Sequence, residues 1–334
     1  MNIIIPMAGR GKRLRPHTLT VPKPLVKIAG KPIVQHLVED IAQLLNDEPL
    51  EEIVFVTGQF GEEVENHLLA VAESLGARGK IAYQDQALGT AHAIWCGKEA
   101  LKGKTIVAFA DTLFKADFQL DPAADGMLWV KQIADPSSFG VVKLNEDGHI
   151  IDFVEKPKEF VSDLAMIGCY YFKEGRDLYT EIEYLIENEV MKGGEYQLPD
   201  ALRRMTEQNK TFSPGKVDEW MDCGNAKVTV ETSNRVLALK YPDSEIASDV
   251  EVINSIVIAP CYIGSGAKVI NSVVGPNASI GSNTLIEDSR ISHSLIQDDS
   301  QLVGQSMAQS MIGSFVKLET KPAALSLGDY NEIK

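Results

Sequence analysis

Residues Gly9-Arg-Gly-Lys-Arg-Leu-Arg-Pro-His-Thr18 follow closely on the apolar run Ile3-Ile4-Ile5, and Pro22-Lys23-Pro24 stands just behind them. A short buried strand running into a glycine loop, with five basic side chains when Lys23 is counted, reads as an anion site. Glycines let backbone N–H groups approach a phosphate, and fixed cations beside them neutralise it. Two common phosphate loops are excluded by position. A Walker loop needs Gly at position 6 and Ser or Thr at position 13, where Pro6 and Arg13 stand. A dinucleotide fingerprint needs a third glycine, and Leu14 occupies that place.

Outward from this loop, apolar strands and amphipathic helices alternate through about residue 110. Residues 3–5, 53–56 and 106–109 read as buried parallel strands. Ile33, Leu37, Ile41 and Leu44 keep helical spacing, as do Val64, Leu68, Val71 and Leu75. The pattern predicts a doubly wound α/β layer, Rossmann-like. Such sheets bind ligands at the carboxyl ends of their strands, where the glycine loop and Asp111 both fall. Residues 127–172 are strand-rich, with a hairpin expected through Asp147-Gly148. Helical patterns return at 177–190, 197–205 and 226–239, and Pro242 marks a boundary.

Beyond Pro242 the rhythm changes. Ile246, Val252, Ile258, Ile263, Val269, Val274, Ile280, Ile286, Ile291, Ile296 and Leu302 recur every five or six residues, with small or polar residues between. A three-sided parallel β-helix gives that period, at roughly 18 residues per coil and so about four coils. The segment resembles the left-handed β-helix of hexapeptide-repeat proteins. The expected division is residues 1–240, 241–320 and a tail 321–334. Solenoid edges must be capped or paired, which predicts a homo-oligomer.

Of the 334 residues, 44% are apolar, an ordinary fraction for a chain with full cores. The formal charge of −15 excludes non-specific nucleic-acid binding and makes the basic stretch near the N-terminus stand out. Cys96, Cys169, Cys223 and Cys261 are scattered and read as free thiols of a reducing compartment. The apolar N-terminal run is too short for a signal peptide, and no 18-residue apolar span exists, so a cytoplasmic protein without membrane contact is expected. The six histidines show no metal-ligand spacing.

The pattern Gly-x-Gly-x-Arg-Leu-x-Pro-x-Thr followed by Pro-Lys-Pro resembles the signature loop of sugar nucleotidyltransferases, the nucleoside-diphosphate-sugar pyrophosphorylases. Further segments follow in family order across residues 1–240. Leu88-Gly89-Thr90-Ala91-His92-Ala93, with Gln84 before it, looks like the nucleobase-reading segment. Trp220-Met-Asp222-Cys-Gly224 is similar to the family's Trp-x-Asp-x-Gly motif. Phe139-Gly140-Val141, Val154-Glu155-Lys156-Pro157 and Met166-Ile167-Gly168 resemble the sugar-phosphate half. Two departures stand out: Ala110 where the family usually has Gly, and Lys12 where it often has Thr or Ser.

The resemblance implies a reaction of NTP with sugar 1-phosphate that gives NDP-sugar and pyrophosphate, with magnesium as cofactor. It assigns Arg13 and Lys23 to the triphosphate, and Ala8, Gly9, Gly11, Gln84, Gly89 and Thr90 to nucleotide binding. Gly140, Glu155, Lys156 and Gly168 would hold the sugar phosphate, with Lys156 orienting the nucleophile. Asp111 and Asp222 would hold the metal. A pyrimidine nucleotide, dTTP or UTP, and glucose 1-phosphate are the expected substrates, most specifically a glucose-1-phosphate thymidylyltransferase. The alternatives are a mannose-1-phosphate guanylyltransferase and a non-catalytic nucleotide-sugar sensor or scaffold.

Overall fold

Asn2–Pro6 (β1) has every residue buried, and its neighbours Glu52–Thr57 (β2) and Thr105–Ala108 (β4) are buried along their whole length too. Strands covered on both faces become near-continuous apolar runs, which is why these segments are legible in the sequence. The computed structural model describes all residues except Arg10, Asn46, Asp47, Asp117, Phe118, Lys158, Asn331, Ile333 and Lys334. Arg10, one of the basic residues of the glycine loop, therefore lies outside the described residues.

By contacts the described chain divides into two compact units, Met1–Val26 with Pro32–Gly224, and Lys27–Lys31 with Asn225–Lys334. In the first, ten strands form one mixed sheet. The others are Arg78–Tyr83 (β3), Thr112–Ala116 (β5), Gly126–Gln132 (β6), Gly140–Leu144 (β7), Ile150–Glu155 (β8), Leu164–Phe172 (β9) and Phe212–Asp222 (β10). Their order is β3-β2-β1-β4-β9-β6-β10-β8-β7, with β5 paired to β10 off that path. The first four are mutually parallel, and β9 enters antiparallel to both β4 and β6.

Helices Ile33–Leu44 (α1), Glu62–Ser74 (α2) and Thr90–Cys96 (α3) belong to the parallel half, and Gly175–Glu187 (α4) and Leu198–Glu207 (α5) follow later. The expected hairpin forms: β7 and β8 pair antiparallel, and Gly148, at φ +83°, turns the loop.

The second unit holds helix Ala226–Lys240 (α6) and three parallel sheets of two- and three-residue strands, the left-handed β-helix expected from the repeat. Glu251, Lys268, Leu285, Gln301 and Lys317 stack in one sheet, so each coil takes sixteen or seventeen residues, slightly fewer than the expected eighteen. Ile263, Val269, Val274, Ile280, Ile286, Ile291, Ile296 and Leu302 fill its interior, all at most 1% exposed. Asn254, Asn271 and Asp288 take left-handed corners and bond in a ladder from coil to coil. Among the described residues, no helix is long and apolar enough to cross a membrane.

Candidate active site

Three chain segments at the carboxyl ends of parallel strands, together with the turn that carries Lys23, help enclose a cavity of about 460 Å³. The glycine loop leaves β1. Gln84 follows β3, fixed by its N–H donating to the Thr57 carbonyl at the end of β2. Phe109-Ala110-Asp111 follows β4. Lys23 comes from the short turn Lys23–Leu25. An open α/β sheet offers its ligand site at this edge.

The loop is shaped around Lys23. Gly11 has φ +59°, and a Cβ on it would stand 2.6 Å from the Lys23 Cβ. The Thr18 hydroxyl donates to the Gly11 carbonyl at 2.8 Å and pins the turn from its far end. Lys23 itself is nearly buried, 9% exposed at its side chain, and its Nζ lies 3.1 Å from Asp111 Oδ2. Lys12 and Arg13 line the same cavity, and neither meets a carboxylate among the described residues. Two uncompensated cations on a chain of charge −15 make a local anion site.

The segment from Gln84 to Ala93, expected to read the nucleobase, is held by its own packing. Gly89, at φ +103°, faces the Tyr196 backbone: a Cβ there would lie 2.5 Å from the Tyr196 carbonyl oxygen. The Tyr196 N–H donates to the Leu88 carbonyl, and the Ala91 N–H to the Tyr196 carbonyl. Thr90 Oγ1 accepts from the Leu198 N–H and so fixes the start of α5. Gly89 and Thr90 line the cavity, but local packing already requires both. Gln84 Nε2 donates to the Gly89 carbonyl and contacts His92 Nδ1, each at 3.2 Å. Burial holds the His92 ring below its ordinary value of 6.5, so the neutral ring can accept that amide proton.

The two aspartates come together although 110 residues separate them. Asp222 pairs with Thr112 in the β10–β5 register, and the Cys223 N–H donates to the Asp111 carbonyl at 3.3 Å. A Cβ on Gly224, which lines the cavity, would stand 2.6 Å from Asp222 Oδ2. An oxygen-only pair of carboxylates beside a cation-lined cavity would fit magnesium, which takes one or two carboxylates and completes its shell with other oxygens such as water.

Gly140, Glu155, Lys156, Gly168 and Asp222 do not line the 460 Å³ cavity itself. Glu155 and Gly140 are register partners across the hairpin, and Glu155 Oε2 would lie 2.8 Å from a Cβ on Gly140. Lys156 adopts φ +43°, a conformation unusual for a lysine, and its N–H donates to the Phe139 carbonyl. Strain of that kind concentrates at functional positions. Gly168 packs on Phe109, which lines the cavity, and its carbonyl accepts from the Phe109 N–H. Burial raises the Tyr170 phenol well above its ordinary range, and the nearby charges of Glu155 and Asp111 add to the effect.

The stretch Gly194-Glu195-Tyr196-Gln197-Leu198-Pro199-Asp200 looks like another family segment in the sequence, without a role assigned to Glu195. Glu195 lines the cavity, and its neighbour Tyr196 is pinned against Leu88 and Ala91, a pairing across about a hundred residues. Tyr170 reads as an ordinary strand residue in an apolar run.

The family model described as Nucleotidyl transferase matches residues 2–238. The bifunctional protein GlmU of Methanococcus maripaludis (strain C7) is 31% identical over 264 residues, covering 77% of this chain and 60% of that protein. The mannose-1-phosphate guanylyltransferase catalytic subunit beta of Drosophila pseudoobscura is 31% identical over 234 residues, covering 67% of this chain and 59% of that protein. The chain therefore aligns with about 60% of the length of these curated relatives. Among solved structures, a nucleoside-diphosphate-sugar pyrophosphorylase from Vibrio cholerae superposes with a TM-score of 0.60 at 20% identity, over 69% of this chain and 99% of that one. With the family model spanning well over half of its residues, this chain belongs to the nucleotidyl transferase family.

Proposed function

We propose that the protein transfers a nucleotidyl group from an NTP to a sugar 1-phosphate, releasing pyrophosphate and an NDP-sugar. The observation that carries this reading is the cation set of Lys12, Arg13 and Lys23 lining one cavity, with Asp111 at 3.1 Å from Lys23 and Asp222 paired in register with Thr112, the next residue after Asp111. A sugar phosphate oxygen attacks the α-phosphorus in line while pyrophosphate leaves. The nucleophile is already an anion, so positioning and charge neutralisation carry the reaction and no general base is needed. Arg13 and Lys23 hold the triphosphate and the leaving group. Lys156 orients the sugar phosphate, and Glu155 accepts from sugar hydroxyls. Asp111 and Asp222 would hold magnesium, which neutralises phosphate charge when bound.

The substrates we favour are dTTP or UTP with glucose 1-phosphate: both amide protons of Gln84 are engaged by the Gly89 carbonyl and His92 Nδ1, and its oxygen can accept from the N3–H of such a pyrimidine. The similarity to a mannose-1-phosphate guanylyltransferase subunit supports a second reading, GTP with mannose 1-phosphate. A homo-oligomer in the cytoplasm completes the proposal, and light scattering tests the assembly. Purified protein with magnesium is incubated with each of five NTPs and a panel of sugar 1-phosphates, and pyrophosphate is measured. Release with one pair names both substrates. Silence across the panel, with retained nucleotide-sugar binding, would favour a sensor over an enzyme.

A further inference from the structure

Strand β8 ends at Glu155 and runs straight into Lys156. On one side it pairs with β7 as far as Glu155 and Gly140. On the other side, among the described residues, its pairing with β10 is confined to Ile150 and Phe212. The end that carries Glu155 is instead held by helix α5. Arg203 Nη2 donates to the Phe153 carbonyl, and its Nε donates to Asp152 Oδ1 at 3.1 Å. The third arm of the same guanidinium, Nη1, donates at 2.8 Å to Oδ1 of Asp200, one turn back on the helix. Asp200 is nearly buried and also accepts from Lys192 Nζ. Three arms of one planar fork thus tie the helix to the strand, which the point charge of a lysine cannot do.

We infer that Arg203, held by Asp200, is a positioning residue for Glu155 and Lys156. Lys156 has φ +43°, and a strained residue keeps such a conformation only where its surroundings over-determine it. Two fixed points flank the turn. One is the Phe153 carbonyl, met by Arg203; the other is the Lys156 N–H, which donates to the Phe139 carbonyl at 3.1 Å. Only Val154 and Glu155 lie between them. Without the fork, β8 keeps its pairing with β7 but loses its hold on the helix, and the backbone at Lys156 relaxes. The nucleotide side is spared, because Gly89 is held by separate bonds from Tyr196 to Leu88 and Ala91. The effect on turnover rests on the nucleotidyl-transfer reading and the roles proposed for Glu155 and Lys156, whereas the strand anchor can be measured without them.

The test is Arg203→Lys in the full-length chain, with Arg204→Lys as control, since Arg204 stands on the same helix but pairs with Glu181 of α4 at 2.7 Å. Hydrogen exchange of the Lys156 amide should quicken about tenfold in Arg203→Lys and stay unchanged in the control. In turnover, KM for the sugar 1-phosphate should rise roughly tenfold, while KM for the NTP holds within about twofold. Asp152→Ala removes one partner of the fork at a partly exposed site and should shift both readouts the same way by less, which keeps the test open if Arg203→Lys does not fold. Unchanged exchange at Lys156 would overturn the inference whether or not the protein turns over. In an active protein, an unchanged KM for the sugar 1-phosphate, an equal rise for both substrates or the same rise in Arg204→Lys would overturn it too. Quicker exchange at Lys156 in a protein whose wild type releases no pyrophosphate would count against the nucleotidyl-transfer reading and leave the anchor supported.

Discussion

The ammonium of Lys23 lies 3.1 Å from the Asp111 carboxylate, which pairs a nearly buried cation with an anion half exposed to the cavity. Because Asp111 is half solvated, removing Lys23 should leave a tolerable charge and an intact fold. Lys23→Ala is predicted to lower kcat by roughly a hundredfold or more with little change in melting midpoint. Pyrophosphate release together with circular dichroism checks this, and near-full activity would show that Lys23 does not touch the leaving group.

Gly89 is required by packing as well as by any ligand. Its φ of +103° and the Tyr196 carbonyl, 2.5 Å from an added Cβ, leave no room for a side chain. Gly89→Ala should cost about 2–3 kcal/mol in denaturant unfolding. It should also raise KM for the NTP, because Gln84 is held by the Gly89 carbonyl. A variant with wild-type stability would mean that the Glu195–Tyr196 segment is loosely packed.

His92 provides a pH dependence with a definite sign. Burial lowers its pKa, so the ring is neutral above its ordinary 6.5 and accepts the Gln84 amide proton on Nδ1. The stability this neutral ring contributes is fully present above 6.5 and is lost as pH falls through the lowered folded value. Protonation turns the contact into two facing donors. NTP affinity should therefore weaken on titration from about pH 8 to about pH 5, and His92→Phe should remove that step. Equal pH profiles for the two proteins would exclude the coupling.

The solenoid core predicts a contrast between two isoleucines. Ile286 is fully buried, while Ile256 on the first coil is 60% exposed. Ile286→Ala should cost about 2–4 kcal/mol through the cavity it leaves, and Ile256→Ala about 0.5 kcal/mol or less. Thermal unfolding of both variants measures the difference, and similar midpoints would contradict the interior assignment.

Much of this architecture is legible in the sequence because period and burial coincide. Ile3, Ile4 and Ile5 are fully buried in a parallel strand, and the five-to-six-residue spacing from Ile263 to Leu302 is the solenoid interior. The strand that brings Asp222 to Asp111 is hidden. Phe212–Asp222 contains Pro214 and Gly215, which normally argue against a strand interior. Here the first part pairs with β6 and the second with β5, so one chain segment serves two neighbours. Gly215 lies against Trp129, where a Cβ would come within 2.8 Å of the ring. Propensity loses to that long-range fit, and no local pattern reports it. The stretch Gly194–Asp200 stands out in the sequence, but the place of Glu195 opposite Gly89 depends on long-range backbone bonds between Tyr196 and both Leu88 and Ala91.

Attack at the α-phosphorus is open to a direct test with an NTP carrying radiolabel on that phosphorus, incubated with the protein, magnesium and the productive sugar 1-phosphate. The label should move entirely into the NDP-sugar, and the released pyrophosphate should be unlabelled. Label recovered only in the starting NTP or as free NMP, from folded protein, would contradict nucleotidyl transfer to a sugar phosphate.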